Sequence, residues 1–143
     1  MNIPIDWEKV DGDVDEFNFI GEKKIAKVVS VYDGDTVKVV FHLLDKLYKF
    51  NCRIQHVDNP EIRTRNKLEK EYGLKVRDEL RKKILNKVFE IHCDEFDKYG
   101  RLLIDIIVEG EKISEWLIKN NYAFRYDGGT KRDWGEHLEN SSN

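Results

Sequence analysis

The chain has 143 residues, and 25 basic against 28 acidic side chains give it a formal charge of −3. That length suits one domain with one core, and a 40% hydrophobic share beside 37% charged residues calls for a small core under a dense, mixed-sign surface. No apolar run could span a bilayer, no basic-then-apolar start marks a secretory leader, and two cysteines cannot build a thiolate metal cluster.

Residues 1–21 read as an acidic extension ending at Gly21. Its first 20 residues hold Asp6, Glu8, Asp11, Asp13, Asp15 and Glu16 against Lys9 alone. Their net of −5 leaves +2 for the rest of the chain, and residues 61–83, with nine bases and five acids, carry +4. Partner choice follows the local field, so the overall charge does not exclude a polyanionic substrate. Ile3, Trp7, Val10, Phe17 and Phe19 are the extension's candidates for docking onto the body. Its carboxylates are candidate competitors for a basic rim.

The body, residues 22–126, opens with a β-branched run, Lys24–Tyr32, ended by Asp33-Gly34-Asp35, a strong turn signal. A second strand resumes over Thr36–Leu44, and Asp45-Lys46 turns the chain. Leu47–Val57 reads as a third strand stopped at Asn59-Pro60. Short turns between the three make a meander. Leu68, Tyr72, Val76, Leu80 and Ile84 then recur every fourth residue among charges, the pattern of an amphipathic helix on a core, with Gly73 a local weak point. Val88–Cys93 and Leu102–Val108 are the fourth and fifth strands, and Ile113–Asn120 is a short helix. The remainder, 127–143, reads as a polar tail with a Gly128-Gly129 pair.

Five short strands, a helix between the third and fourth and a helix after the fifth predict a mainly β (α+β) fold, a five-stranded OB-type barrel. Closing the sheet removes its exposed edges. An open α+β sheet is the alternative the pattern allows. Cys52 and Cys93 are expected as reduced thiols of an intracellular protein, cytoplasmic or nuclear, with a disulfide between them the alternative.

Four local features carry candidate chemistry: Asp33-Gly34-Asp35-Thr36, Arg53, Val57-Asp58-Asn59-Pro60-Glu61 and Asp97-Lys98-Tyr99-Gly100-Arg101. Each alone has a plain structural explanation: a hairpin turn, an ion-paired strand residue, a helix entrance, a turn with a basic rim. Together they offer more. Asp35 and Asp58 are short carboxylates at strand ends, suited to a hard divalent cation. Glu61 stands three residues on, where it can act on a metal-adjacent water. Arg53 and Arg101 supply forked donors for phosphate oxygens. His42, His56, His92 and His137 sit in strand or tail contexts and are not expected to bind metal.

The series DGDT, Arg53, VDNPE and DKYGR, in this order and spacing, resembles the staphylococcal (micrococcal) nuclease family over roughly residues 24–126. The resemblance implies a calcium-dependent endonuclease of low sequence specificity that cuts DNA or RNA, single strands preferred, and leaves 3′-phosphate ends. It implies that Asp35 and Asp58 ligate calcium together with the main-chain carbonyl of Asn59, where the family commonly carries Thr. Glu61 is then the general base, and Arg53 and Arg101 clamp the phosphate. Lys98 and Tyr99 contact a terminal phosphate, and Tyr126 lies near the base. Whether magnesium can replace calcium stays open, and the expected form is a monomer without an obligate protein partner or a membrane. The competing reading is a non-catalytic OB module that binds nucleic acid or protein, from which the intact set of five catalytic side chains argues away.

Overall fold

The computed structural model describes residues 3–141. Strands β1 (Lys23–Val31), β2 (Thr36–Leu43) and β3 (Lys46–Ile54) form the expected antiparallel meander, with a register shift in β1 between Val28 and Ser30. β5 (Val88–Phe96) pairs with β1, and β6 (Leu102–Val108) with β5. Closure comes from β3 and β6, which run parallel over Cys52–Ile54 and Leu102–Ile104. The result is a five-stranded closed barrel with three α-helices among the described residues.

Alternation drives this closure. Val37, Val39 and Phe41 of β2 and Ile104, Ile106 and Val108 of β6 point inward at every second position. Helix α1 (Lys67–Ile84) adds Val76, Leu80 and Ile84 to the same core, and each such side chain contributes about 1.5–3 kcal/mol by leaving water. Asn66 caps α1 by accepting the Glu69 amide at 3.0 Å. Helix α2 (Ile113–Lys119) follows a two-residue strand, β7 (Glu111–Lys112). Its first turn is anchored by buried Asp105, whose carboxylate accepts the Ser114 amide at 3.1 Å and the Ser114 hydroxyl.

Three expectations change. The third strand does not run unbroken to Val57. His56 adopts a left-handed φ of 66°, so the chain bends and Val57–Asp58 forms a separate strand, β4, paired with β8 (Phe124–Arg125). Residues 134–141 form helix α3 (Trp134–Ser141) rather than irregular tail. Trp134, 3% exposed, stacks on Phe124 at 4.1 Å. Of the extension's candidates only Phe19 docks, edge-on to Phe41 and Phe50; Ile3, Trp7, Val10 and Phe17 stay exposed. Cys52 and Cys93 are buried and unbridged. Among the described residues no helix is long and apolar enough to cross a membrane.

Candidate active site

The Asp33–Thr36 turn between β1 and β2 is held by Asp33, whose Oδ1 accepts the amides of Asp35 at 3.1 Å and Thr36 at 2.8 Å. Gly34 is required there, because a Cβ would lie 2.3 Å from the Asn59 side-chain nitrogen. The Thr36 hydroxyl donates to Asp35 at 2.9 Å, and the Ile54 amide donates to the Asp35 carbonyl at 2.8 Å. The first turn is thereby fastened to the end of β3.

Arg53 stands opposite Thr36 in the β2–β3 register. Its guanidinium donates to the carbonyls of Ile54 at 2.9 Å and Val57 at 2.8 Å and lies 3.4 Å from the Asp35 carboxylate. It therefore bridges β3, β4 and the turn, with little rotational freedom left. Arg101 donates through Nε to Asp97 at 2.8 Å, and the Asp97 carboxylate also accepts the amides of Tyr99 and Arg101, both at 2.9 Å. One aspartate shapes the whole loop that presents Lys98, Tyr99 and Arg101.

Pairing with Phe124 fixes Asp58 on β4 at 4% exposure. Burial pushes its carboxyl upward against the opposing charge of Lys131, whose ammonium lies 3.7 Å away. Glu61 is raised by burial and then by the Asp35 charge. Its amide donates to Glu69 of α1 at 2.8 Å, which fixes the backbone that carries the side chain. Asp33 rises to about 7, through burial first and the neighbouring Asp35 second. Burial is the first cause of all three shifts and the nearby Asp35 charge adds to each, so these carboxyls ionise less readily than free ones.

Asp35, Arg53, Glu61 and Arg101 line one cleft of about 410 Å³ together with Lys131. Lys98, Tyr99 and Tyr126 line an adjoining groove of about 580 Å³, to which Arg53, Arg101 and Lys131 also contribute. Asp58 opens instead onto a third hollow shared with Glu61, Glu69 and Lys131. Asn59 turns its side chain inward, where the amide donates to the Tyr122 carbonyl at 3.1 Å. His56 pairs with Asp127 on the groove wall. No leader carboxylate forms an ion pair with Arg53, Arg101 or Lys131 among the described residues.

Among the described residues, no three His, Cys, Asp or Glu side chains converge tightly enough to hold an ion by themselves. Asp35 and Asp58 supply hard oxygen donors, the kind an oxygen-seeking cation takes. Zinc, which takes nitrogen and sulfur readily, has no such partners here.

Lys131 and Glu69 belong to none of the four sequence features, and Asp33 stands in the first of them without a role of its own. Each acts through a turn or a contact distant in sequence.

Residues 51–141 match the family described as staphylococcal nuclease homologue. Endonuclease YncB of Bacillus subtilis is 30% identical, covering 77% of this chain and 54% of its own length. An uncharacterised protein of Methanocaldococcus jannaschii is 34% identical over 73% of this chain and 60% of its own. Staphylococcal-like nuclease CAN1 of Arabidopsis thaliana is 31% identical over 59% and 24% respectively. The chain thus spans less than two thirds of the curated relatives it matches.

Proposed function

Because the chain belongs to the staphylococcal nuclease homologue family, we propose that it is an endonuclease that hydrolyses phosphodiester bonds of DNA or RNA, calcium-dependent and of low sequence specificity. The supporting observation is that Asp35, Arg53, Glu61 and Arg101 line a single cleft. Asp35 and Asp58, with the Asn59 carbonyl, would hold the divalent ion. Bound there, calcium supplies a Lewis acid for the phosphate and lowers the pKa of an attacking water.

The remaining chemistry belongs to the protein. Glu61 accepts the water's proton, a role suited to a carboxylate held above its ordinary value by burial. Arg53, fixed by two carbonyls, meets charge that grows on the phosphoryl oxygens, as does Arg101 from the opposite loop. Both guanidinium groups are set before substrate arrives, so little reorganisation is needed. Lys98 and Tyr99 meet a neighbouring phosphate, and Tyr126 stands beside the base. Water attacks phosphorus in line with the 5′ oxygen, the P–O5′ bond breaks, and the 5′ oxygen leaves to take up a proton as a hydroxyl, so the phosphate stays on the 3′ side.

Incubating labelled single- and double-stranded DNA and RNA with calcium, magnesium or chelator, then identifying the product ends, tests this. Calcium-dependent cleavage to 3′-phosphates is expected. Full cleavage in chelator would remove the metal from the scheme, and no cleavage under any condition would remove the enzyme.

A further inference from the structure

Lys131 is the residue at which the clefts meet. It lines the Asp35–Glu61 cleft, the Lys98–Tyr126 groove and the hollow onto which Asp58 opens. Its ammonium lies 3.7 Å from Asp58 Oδ1, the one ion pair Asp58 makes among the described residues, and 5.3 Å from the centre of the Tyr126 ring.

The two partners differ in freedom. The Asp58 side chain is 5% exposed and fixed on a strand, whereas that of Lys131 is 47% exposed. Lys131 follows Gly128 and Gly129, whose φ values of 111° and 88° few other residues adopt. This loop is tied down before and after Lys131. The Tyr126 amide donates to His56 and its hydroxyl donates to Gly129, while Trp134 stacks on Phe124. The backbone is therefore held and the four-carbon stem is free to swing. The pair is long at 3.7 Å and its ammonium end is open to water, so it is weaker than a fully buried one, and a divalent ion on Asp58 would place like charges close together, which expels the ammonium.

We propose that Lys131 is a mobile counter-cation: it neutralises Asp58 in the resting protein and moves to a substrate phosphate when a divalent ion takes that carboxylate. The inference rests on the metal-dependent reading above and adds to it that ion and nucleic acid bind cooperatively through this side chain. Before substrate binds, Lys131 competes with the ion. Once substrate binds, the same charge is satisfied by phosphate and the competition ends. Linkage then requires that each ligand tighten the other equally.

Calcium affinity is to be measured by calorimetry on the full chain, alone and with a deoxynucleoside 3′,5′-bisphosphate, for wild type, Lys131→Met and Lys131→Arg. Melting curves establish that all three fold. Lys131→Met should bind calcium alone about three- to fivefold more tightly, the scale of a half-exposed ion pair. The tightening of calcium by the bisphosphate should fall by at least the same factor, and Lys131→Arg should behave as wild type. Unchanged affinity and unchanged coupling in Lys131→Met would overturn the proposal while the metal reading stood. Weaker binding of calcium alone in Lys131→Met would overturn it equally, by making Lys131 a support for Asp58 rather than a competitor. An absence of calcium binding in wild type would bring down the metal reading and this inference with it.

Discussion

Gly73 of α1 lies so close to Glu61 that a Cβ at position 73 would stand 3.1 Å from the Glu61 carbonyl oxygen and 2.9 Å from that of Pro60. The helix residue that looks like a flaw in an amphipathic pattern is the point where α1 presses on the candidate base. An alanine there adds up to about 1 kcal/mol of helix propensity, but it pushes backbone that cannot swing aside. Gly73→Ala should lower thermal stability, by about 1–3 kcal/mol as overpacking does, and kcat/KM should fall roughly tenfold or more, because small displacements of a positioned group are costly. Melting curves beside cleavage kinetics separate the two effects.

Arg53→Ala removes the two carbonyl contacts and the Asp35 pairing together. The barrel should survive, with a stability loss of about 1–3 kcal/mol from the carbonyls left unpartnered. Cleavage should fall about 10²–10³-fold, the scale of losing one preorganised donor to transition-state charge. Denaturant titration and single-turnover rates check the two halves.

Asp97 gives a pH signature. Burial opposes ionisation, but the Arg101 and Tyr99 amides and the Arg101 guanidinium outweigh it and hold the carboxyl below its ordinary value of 3.8. A depressed folded-state pKa adds stability that is complete above the unfolded value and is lost as pH falls through the folded one. Asp97→Asn should therefore melt lower than wild type at pH 7, with the gap narrowing below about pH 4. Melting both proteins from pH 7 to 3 reads this directly.

Trp134 lines the hollow onto which Asp58 opens and stacks on Phe124, whose strand pairs with Asp58. Trp134→Ala should cost about 3 kcal/mol, as for a buried aromatic removed without refilling, and should also weaken nucleic-acid binding by releasing the loop that carries Lys131. Urea denaturation measures the first effect and fluorescence anisotropy with a labelled oligonucleotide the second.

The barrel was legible because its information is local. Asp-Gly turns, β-branched runs and the four-residue spacing of Val76, Leu80 and Ile84 each report their own surroundings. Asp35, Glu61 and Arg101 stand in short runs and Arg53 alone in its strand, and the fold brings these four to one cleft. Lys131 was not legible, because it reaches the cleft only after β4–β8 pairing and the Phe124–Trp134 stack fold the chain back. A signal for α3 was present: Asp133 accepts the Glu136 amide at 3.0 Å, and an acidic residue three places after a capping residue marks a helix start. In a polar stretch between two glycines and the chain's last residues, that mark is faint. The break at His56 had no signal, since its left-handed conformation is set by the pairing of β4 with β8 and not by its neighbours.

The hydrolysis rate of a short single-stranded oligonucleotide in calcium, for wild type and Glu61→Gln, tests the central claim most directly. Glutamine keeps the shape of the cleft and cannot take a proton. Wild type should cleave, chelator should abolish cleavage, and the variant should lose about 10²–10⁴-fold in rate with its oligonucleotide affinity retained. Wild-type turnover by Glu61→Gln would contradict it.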